Sequence, residues 1–350
     1  MTNSRRKFLG CILGGAAVAG AAGIGLMKFG RVGGRGTAAP GTPEHASLRA
    51  ELESVYEPRY LGVDLADRAK KLHAMMDNCR LCPRECGAPR NRGRAGICST
   101  ADRFRVASFG PHFGEERPLV GNHGSGTIFF SNCSLLCVFC QNWEINHKGE
   151  GTEVTHEQLA DMMLSLQRRG CHNINFVTPT HLVPHIVSAL AIAVPKGLKI
   201  PLLYNTGGYD SLEVIKLLDG IIDVYLPDFK YQDSDVAARF SKGAPDYQKH
   251  TAAAIIEMHR QVGHLSSIDG IAYRGLLIRH LILPENLSQT DEFVKWTVQN
   301  LGADTHVNIM GQYRPMFRAS EFPPLDRRVT RTEFDQAMRW ARAAGLKNFW

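Results

Sequence analysis

From Gly126 onward the sequence alternates short apolar, β-rich runs with helical patterns, and this alternation restricts the fold more than any other feature. Gly126 to Asn132, Asn173 to Thr178, Ile200 to Tyr204, Ile221 to Pro227, Gly275 to Leu283 and His306 to Gln312 read as strands. The intervening helices carry start signals. Thr155-x-x-Gln158 precedes Leu159, Ala160, Met162 and Met163, and Thr330-x-x-Glu333 precedes the last amphipathic run. A strand that is followed each time by a helix pairs in parallel through crossovers. The predicted product is α/β: an open or closed barrel with its functional groups at the C-terminal strand ends. At 350 residues and 44% hydrophobic, the chain accommodates one such barrel, typically roughly 200 to 250 residues, plus a smaller appendage.

Directly after the first of these strands comes Cys133-Ser-Leu-Leu-Cys137-Val-Phe-Cys140, a C-x3-C-x2-C group on the loop where a barrel places its active site. Three thiolates so spaced can converge on three iron corners of a cubane and leave the fourth iron open. Three alternatives compete. Free cysteines can be buried as small hydrophobes. Zinc would want a fourth protein ligand, and neither Asn132 nor Gln141 is a usual one. A ferredoxin-like electron carrier would not need the surrounding barrel.

A second group, Cys79-x2-Cys82-x3-Cys86 with Cys98 following, is interrupted by Pro83, Gly87, Pro89 and Gly93. That is the turn-rich form of a metal-binding knuckle with four thiolates. Zinc, an auxiliary iron–sulfur cluster and two disulfides all accept four cysteines, and the C-x2-C pair favours metal. Cys171, before a strand, reads as a buried free thiol.

The N-terminus opens on Ser4-Arg5-Arg6-Lys7-Phe8-Leu9, followed by an apolar stretch to Met27 that glycines dilute. It resembles a twin-arginine export signal, with a cleavage point at Gly36-Thr37-Ala38. Export to the periplasm or anchoring in the membrane is the expectation, with a cytoplasmic location as the alternative. Residues 1–36 hold six basic side chains and no acid, so the formal charge of +7 falls to about +1 for the remainder. No nucleic-acid partner is expected of so neutral a body. The domain reading is a leader and linker over 1–43, a helical and cysteine-rich module over 44–120, helical from 44 to 78, and the barrel over 121–350.

From about Asn78 to the C-terminus the chain resembles radical S-adenosylmethionine (radical SAM) proteins described as pyruvate formate-lyase activating enzyme homologues. The segments that carry the likeness are NCRLCPRECG from Asn78, GTIFFSNC from Gly126, VTPTH from Val177, YNTGGY from Tyr204, YLPDFKY from Tyr225, RHLILP from Arg279 and NIMGQYRP from Asn308. The resemblance implies a partial (βα)6 TIM-like barrel, a 4Fe-4S cluster on Cys133, Cys137 and Cys140, and S-adenosylmethionine on the open iron. It further implies reductive cleavage of that cofactor and hydrogen abstraction from a substrate by a 5′-deoxyadenosyl radical.

On the same likeness Phe139 stands where the family places an apolar side chain near the adenine, against a reading as core. Thr178, Thr180 and His181 end the second strand, where many members carry a Gly-Gly-Glu-like segment for the methionyl amine; this chain departs from that pattern with Thr-Pro-Thr-His. Asn205, Asp228 and Lys230 offer acceptors and a cation for ribose hydroxyls and a carboxylate, against a local salt bridge or turn cap. His181, Arg279 and His280 could face substrate, although a lone histidine is more often structural. The partners implied are a one-electron donor such as a flavodoxin or ferredoxin, and a substrate that is a small molecule or a protein glycine. An iron–sulfur electron-transfer or accessory protein that has lost the cleavage reaction is the alternative.

Overall fold

A computed structural model describes residues 56–350. The leader, the linker and the N-terminal part of the expected 44–78 helix lie outside the described residues.

The strands are β1 (Phe104–His112), β2 (Ser125–Phe130), β3 (Thr152–Val154), β4 (Ile174–Val177), β5 (Leu202–Thr206), β6 (Val224–Pro227), β7 (Ser266–Ile268), β8 (Ile271–Leu281), β9 (His306–Met310) and β10 (Asn348–Phe349). The helices are α1 (Leu65–Ala74), α2 (Arg117–Val120), α3 (Trp143–Asn146), α4 (His156–Arg168), α5 (Val183–Ala193), α6 (Leu212–Leu217), α7 (Ser234–Phe240), α8 (Tyr247–Val262), α9 (Thr290–Leu301) and α10 (Arg331–Ala343).

The strands β2, β4, β5, β6, β8 and β9 neighbour one another in chain order and are parallel throughout. They are the six expected strands, and β2 does not pair with β9, so the barrel is partial. Every residue of β5 is buried, as are eight of the eleven residues of α5, since a parallel strand has helices on one face and the barrel interior on the other. Both sequence-read helix starts carry reciprocal capping boxes, at Thr155 with Gln158 and at Thr330 with Glu333.

The sheet also extends N-terminally of residue 121. β1 pairs antiparallel with β2, His112 opposite Ser125, and β3 pairs antiparallel with β1, Phe104 opposite Val154. The helical stretch before the cysteines is shorter than expected within the described residues: a 3-10 turn at Arg59–Gly62 and then α1, capped by Asp64. α1 packs against α5. Tyr60 donates its hydroxyl to the Ile200 carbonyl (3.0 Å) and Arg59 donates to that of Ile222 (3.0 Å), which fastens this segment to the N-terminal strand ends. There the buried Asp223 accepts from the Tyr56 hydroxyl and the Leu202 N–H (2.9 Å each), and burial pushes its carboxyl up to about 7. No described helix is long and apolar enough to cross a membrane.

Candidate metal and cofactor site

Beyond Phe130 the chain leaves β2 through Asn132, whose φ of +72° is in the left-handed region that asparagine tolerates better than most residues. The turn sets Cys133, Cys137 and Cys140 at the C-terminal end of the sheet. Cys133 Sγ accepts from the Leu135 N–H (3.3 Å), Cys137 Sγ from the Ser241 hydroxyl (3.2 Å), and Cys140 Sγ from the Asn146 amide (3.3 Å). Tyr231 lies 3.0 Å from Ser241 Oγ and extends the hydrogen-bonded chain from Cys137. Burial pushes the Cys133 thiol up to about 12, and the neighbouring thiols Cys137 and Cys140 add to it. Burial also raises Cys137, against the Lys230 ammonium, which favours its thiolate. Metal-free thiols so placed keep their protons at neutral pH, so metal uptake here releases protons.

The donor set fits a cubane cluster held by three cysteines. Three sulfurs come from one short loop, each with a hydrogen-bond donor to temper a thiolate, and a cation stands beside them.

Asn205, Asp228 and Lys230 are brought together at the ends of β5 and β6. Arg279, from β8, joins them: its guanidinium donates to Asp228 Oδ1 (2.8 Å) and Asn205 Oδ1 (2.5 Å) and approaches Glu115 (3.5 Å). Lys230 donates to Asp228 Oδ2 (2.5 Å). Burial works against the Asp228 carboxylate, but Arg279 and Lys230 outweigh it and hold the group below its ordinary range. The local salt bridge weighed from the sequence is therefore present, and it stands beside the cysteine loop.

The other expected residues are distributed differently. Thr180 turns its hydroxyl into a buried cluster, donating to Asp210 Oδ1 (2.7 Å) beside Thr206 and Tyr204. Thr178 is half-buried at φ +61°, an uncommon conformation for a β-branched residue and a mark of strain at this strand end. Phe139 packs edge-on against Tyr313 and Tyr231, with ring centres 5.7 and 6.4 Å away, in the core fashion weighed for it. His181 meets the Ser131 carbonyl (3.1 Å), and burial lowers it to about 3. His280 bridges the Phe229 carbonyl (2.7 Å) and Thr290 (2.9 Å) and lies flat on Phe293, so both histidines brace the fold.

The knuckle thiols lie near one another: Cys98, Cys79 and Cys86 all bear on Cys82, which burial pushes up to about 12. All eight described cysteines are free. Two residues missed in the sequence link the knuckle to the barrel. Arg84 donates to the carbonyls of Ser134 and Leu135 in the cysteine loop, and to those of Ser241 (2.8 Å) and Lys242 (3.0 Å). Arg90, fully buried, donates to the carbonyls of His181 (2.9 Å) and Ala101 (3.2 Å). Their only sequence signal is a place among the knuckle cysteines; Ser241 carries none.

A relative in Methanocaldococcus jannaschii, an uncharacterised protein, is 33% identical over 279 residues, covering 77% of this chain and 75% of the relative. Among solved structures, HydG, a maturase of the FeFe-hydrogenase, is similar at 14% identity and a TM-score of 0.44, over 87% of this chain and 66% of that one. TYW1 with a lysine-pyruvate adduct bound is similar at 11% identity and a TM-score of 0.40, over 63% and 74%. The family model of the radical SAM superfamily matches residues 127–296, a span that begins within β2 and includes the three-cysteine loop and the Asp228 network, and the chain belongs to that superfamily.

Proposed function

We propose that this chain is a radical SAM enzyme of the activating-enzyme type, with its cluster on Cys133, Cys137 and Cys140. When bound, a 4Fe-4S cluster with S-adenosylmethionine supplies reductive cleavage of the sulfonium and a 5′-deoxyadenosyl radical that removes hydrogen from a substrate. The chain's own residues hold and orient. Asn205, Asp228 and Lys230, with Arg279, offer a carboxylate and an amide oxygen for ribose hydroxyls and two cations for the methionyl carboxylate. Thr178 stands at the adjoining strand end, where its hydroxyl can accept from the methionyl ammonium. Cys137 is buried and Cys133 and Cys140 are half-buried, so water reaches this loop from one side only.

The observation that carries this reading is the adjacency of the three-thiol loop and the Lys230–Asp228–Arg279 network at one end of the parallel sheet. The substrate class proposed is a small molecule or a protein glycine, with a flavodoxin or ferredoxin as electron donor. The twin-arginine-like leader supports export after the cluster is assembled. For the knuckle the proposal is zinc or an auxiliary cluster.

Anaerobic reconstitution with iron and sulfide, then reduction with S-adenosylmethionine, should yield 5′-deoxyadenosine from the wild type and none from Cys137→Ala. Iron loading without cleavage would instead mark an accessory or electron-transfer protein, and a protein that takes up no iron would sink the reading.

A further inference from the structure

Away from both cysteine groups, three histidines from distant parts of the chain meet where α1 packs on the outer helices of the barrel. His73 comes from the last turn of α1, His156 is the first residue of α4, and His185 lies in the first turn of α5. One nitrogen from each ring lies within 4.8 Å of one nitrogen from both of the others. His156 Nε2 and His185 Nδ1 are 3.1 Å apart, about the separation of two nitrogens on one tetrahedral ion with metal–nitrogen bonds of roughly 2.0–2.1 Å.

Without a metal, His156 Nε2 and His185 Nδ1 share one hydrogen bond; both offer lone pairs once each ring's proton sits on its other nitrogen. Ser188 donates its hydroxyl to the Pro184 carbonyl (2.9 Å) and therefore accepts from His73 Nε2–H (2.9 Å). That fixes the His73 tautomer and leaves Nδ1 bare, the outer-shell arrangement common for metal-bound histidine. His185 is 3% exposed, and its Nε2 has no hydrogen-bond partner. Burial lowers the pKa of all three rings, that of His185 to about 2, with Arg90 and the other rings adding to it. They are neutral near pH 7, the form that ligates. Phe104 forms the apolar wall, stacked on His185 (4.7 Å) and His156 (5.8 Å). His73 and His156 are half-buried, which leaves one side open to water.

We propose that His73, His156 and His185 form a metal site separate from both cysteine groups, taking a late divalent transition-metal ion of the zinc, nickel or copper class with water as a fourth ligand. Imidazole suits these ions, and three neutral rings without a carboxylate disfavour magnesium and calcium. The ion would tie α1 to α4 and α5, fastening the segment before the knuckle to the outside of the barrel.

The test titrates the full chain, reconstituted with iron and sulfide, with Co²⁺ under anaerobic conditions, following ligand-field absorption and the melting temperature. The wild type should take up one equivalent that shows imidazole-type bands without sulfur-to-cobalt charge transfer, separate from any equivalent bound by the knuckle thiols, and its melting temperature should rise. His156→Ala, at the first residue of α4 where the Thr155 cap remains, and His73→Ala should both bind at least ~100-fold more weakly, beyond the loss typical of an outer-shell partner. His185→Gln should behave likewise if it folds; the two half-buried positions carry the test if it does not. A wild type without imidazole-type uptake, uptake that sulfur charge transfer accounts for entirely, or equal uptake by both alanine variants would overturn the site. None of these outcomes depends on whether S-adenosylmethionine is cleaved.

Discussion

Both cysteine groups receive hydrogen bonds at sulfur, the loop of Cys133, Cys137 and Cys140 from Leu135, Ser241 and Asn146 and the knuckle at Cys79 from Arg90, but the knuckle also sends them out, through Arg84 and Arg90, to carbonyls of the barrel. The first arrangement tunes and shields a reactive group. The second holds a neighbour in place. The two cysteine groups thus differ in what their flanking residues reach more than in the thiols themselves, and a count of cysteines would not have separated them.

The widest separation comes from exchanging one thiol in each. Cys137→Ser should abolish S-adenosylmethionine cleavage and leave the melting temperature near that of the wild type. Cys98→Ser should lower folding stability by at least ~2 kcal/mol, with detectable cleavage surviving. Melting curves alongside a 5′-deoxyadenosine assay would show it, and cleavage abolished equally in both would merge the two roles. Next is Arg84→Met, which releases two carbonyls of the cysteine loop. Cleavage should fall ~10-fold with iron content unchanged; a loss of stability alone would make Arg84 an anchor with no bearing on the loop.

Acid probes the barrel side. His280 is fully buried, and burial lowers its pKa to about 4. A depressed folded-state pKa means that the unfolded chain binds the extra proton first. The stability His280 contributes is therefore complete above pH ~6.5 and is lost as the pH falls toward about 4, by up to ~3 kcal/mol. Denaturant midpoints for the wild type and His280→Gln should converge over that window; parallel curves would break the assignment. The smallest effect belongs to Ser241→Ala, which removes one donor to Cys137. A hydrogen bond of about 1 kcal/mol corresponds to roughly 40 mV for one electron, so the cluster potential should become more negative by that order in a redox titration.

The six parallel strands were legible because each is a short apolar run with a helix after it, and Thr155 and Thr330 announced their helices through a local three-residue spacing. β1 was not, since Phe104–His112 includes Gly110 and Pro111 and gains its strand character from pairing with β2. Cys133, Cys137 and Cys140 were legible as a set because one loop carries all three. Arg279 was named as a candidate, but its union with Asn205 and Asp228 depends on the order of β5, β6 and β8 in the sheet. Thr180 shows the converse: its place at a strand end suggested a contact with the methionyl amine, and Asp210, thirty residues on, accepts its hydroxyl instead.

Arg90 sets a condition on assembly. Its guanidinium is fully buried, and among the described residues it has two carbonyl acceptors and the Cys79 sulfur at 3.8 Å, with no carboxylate paired to it. A cation withdrawn from water needs a counter-charge, and under the metal binding proposed for the knuckle its ionised thiols would provide one. A metal-starved knuckle, with its thiols protonated, leaves that charge uncompensated. Under the proposed metal binding, the seating of the knuckle on the barrel is linked to metal supply: chains lacking the metal should expose this junction to proteases before the barrel itself gives way.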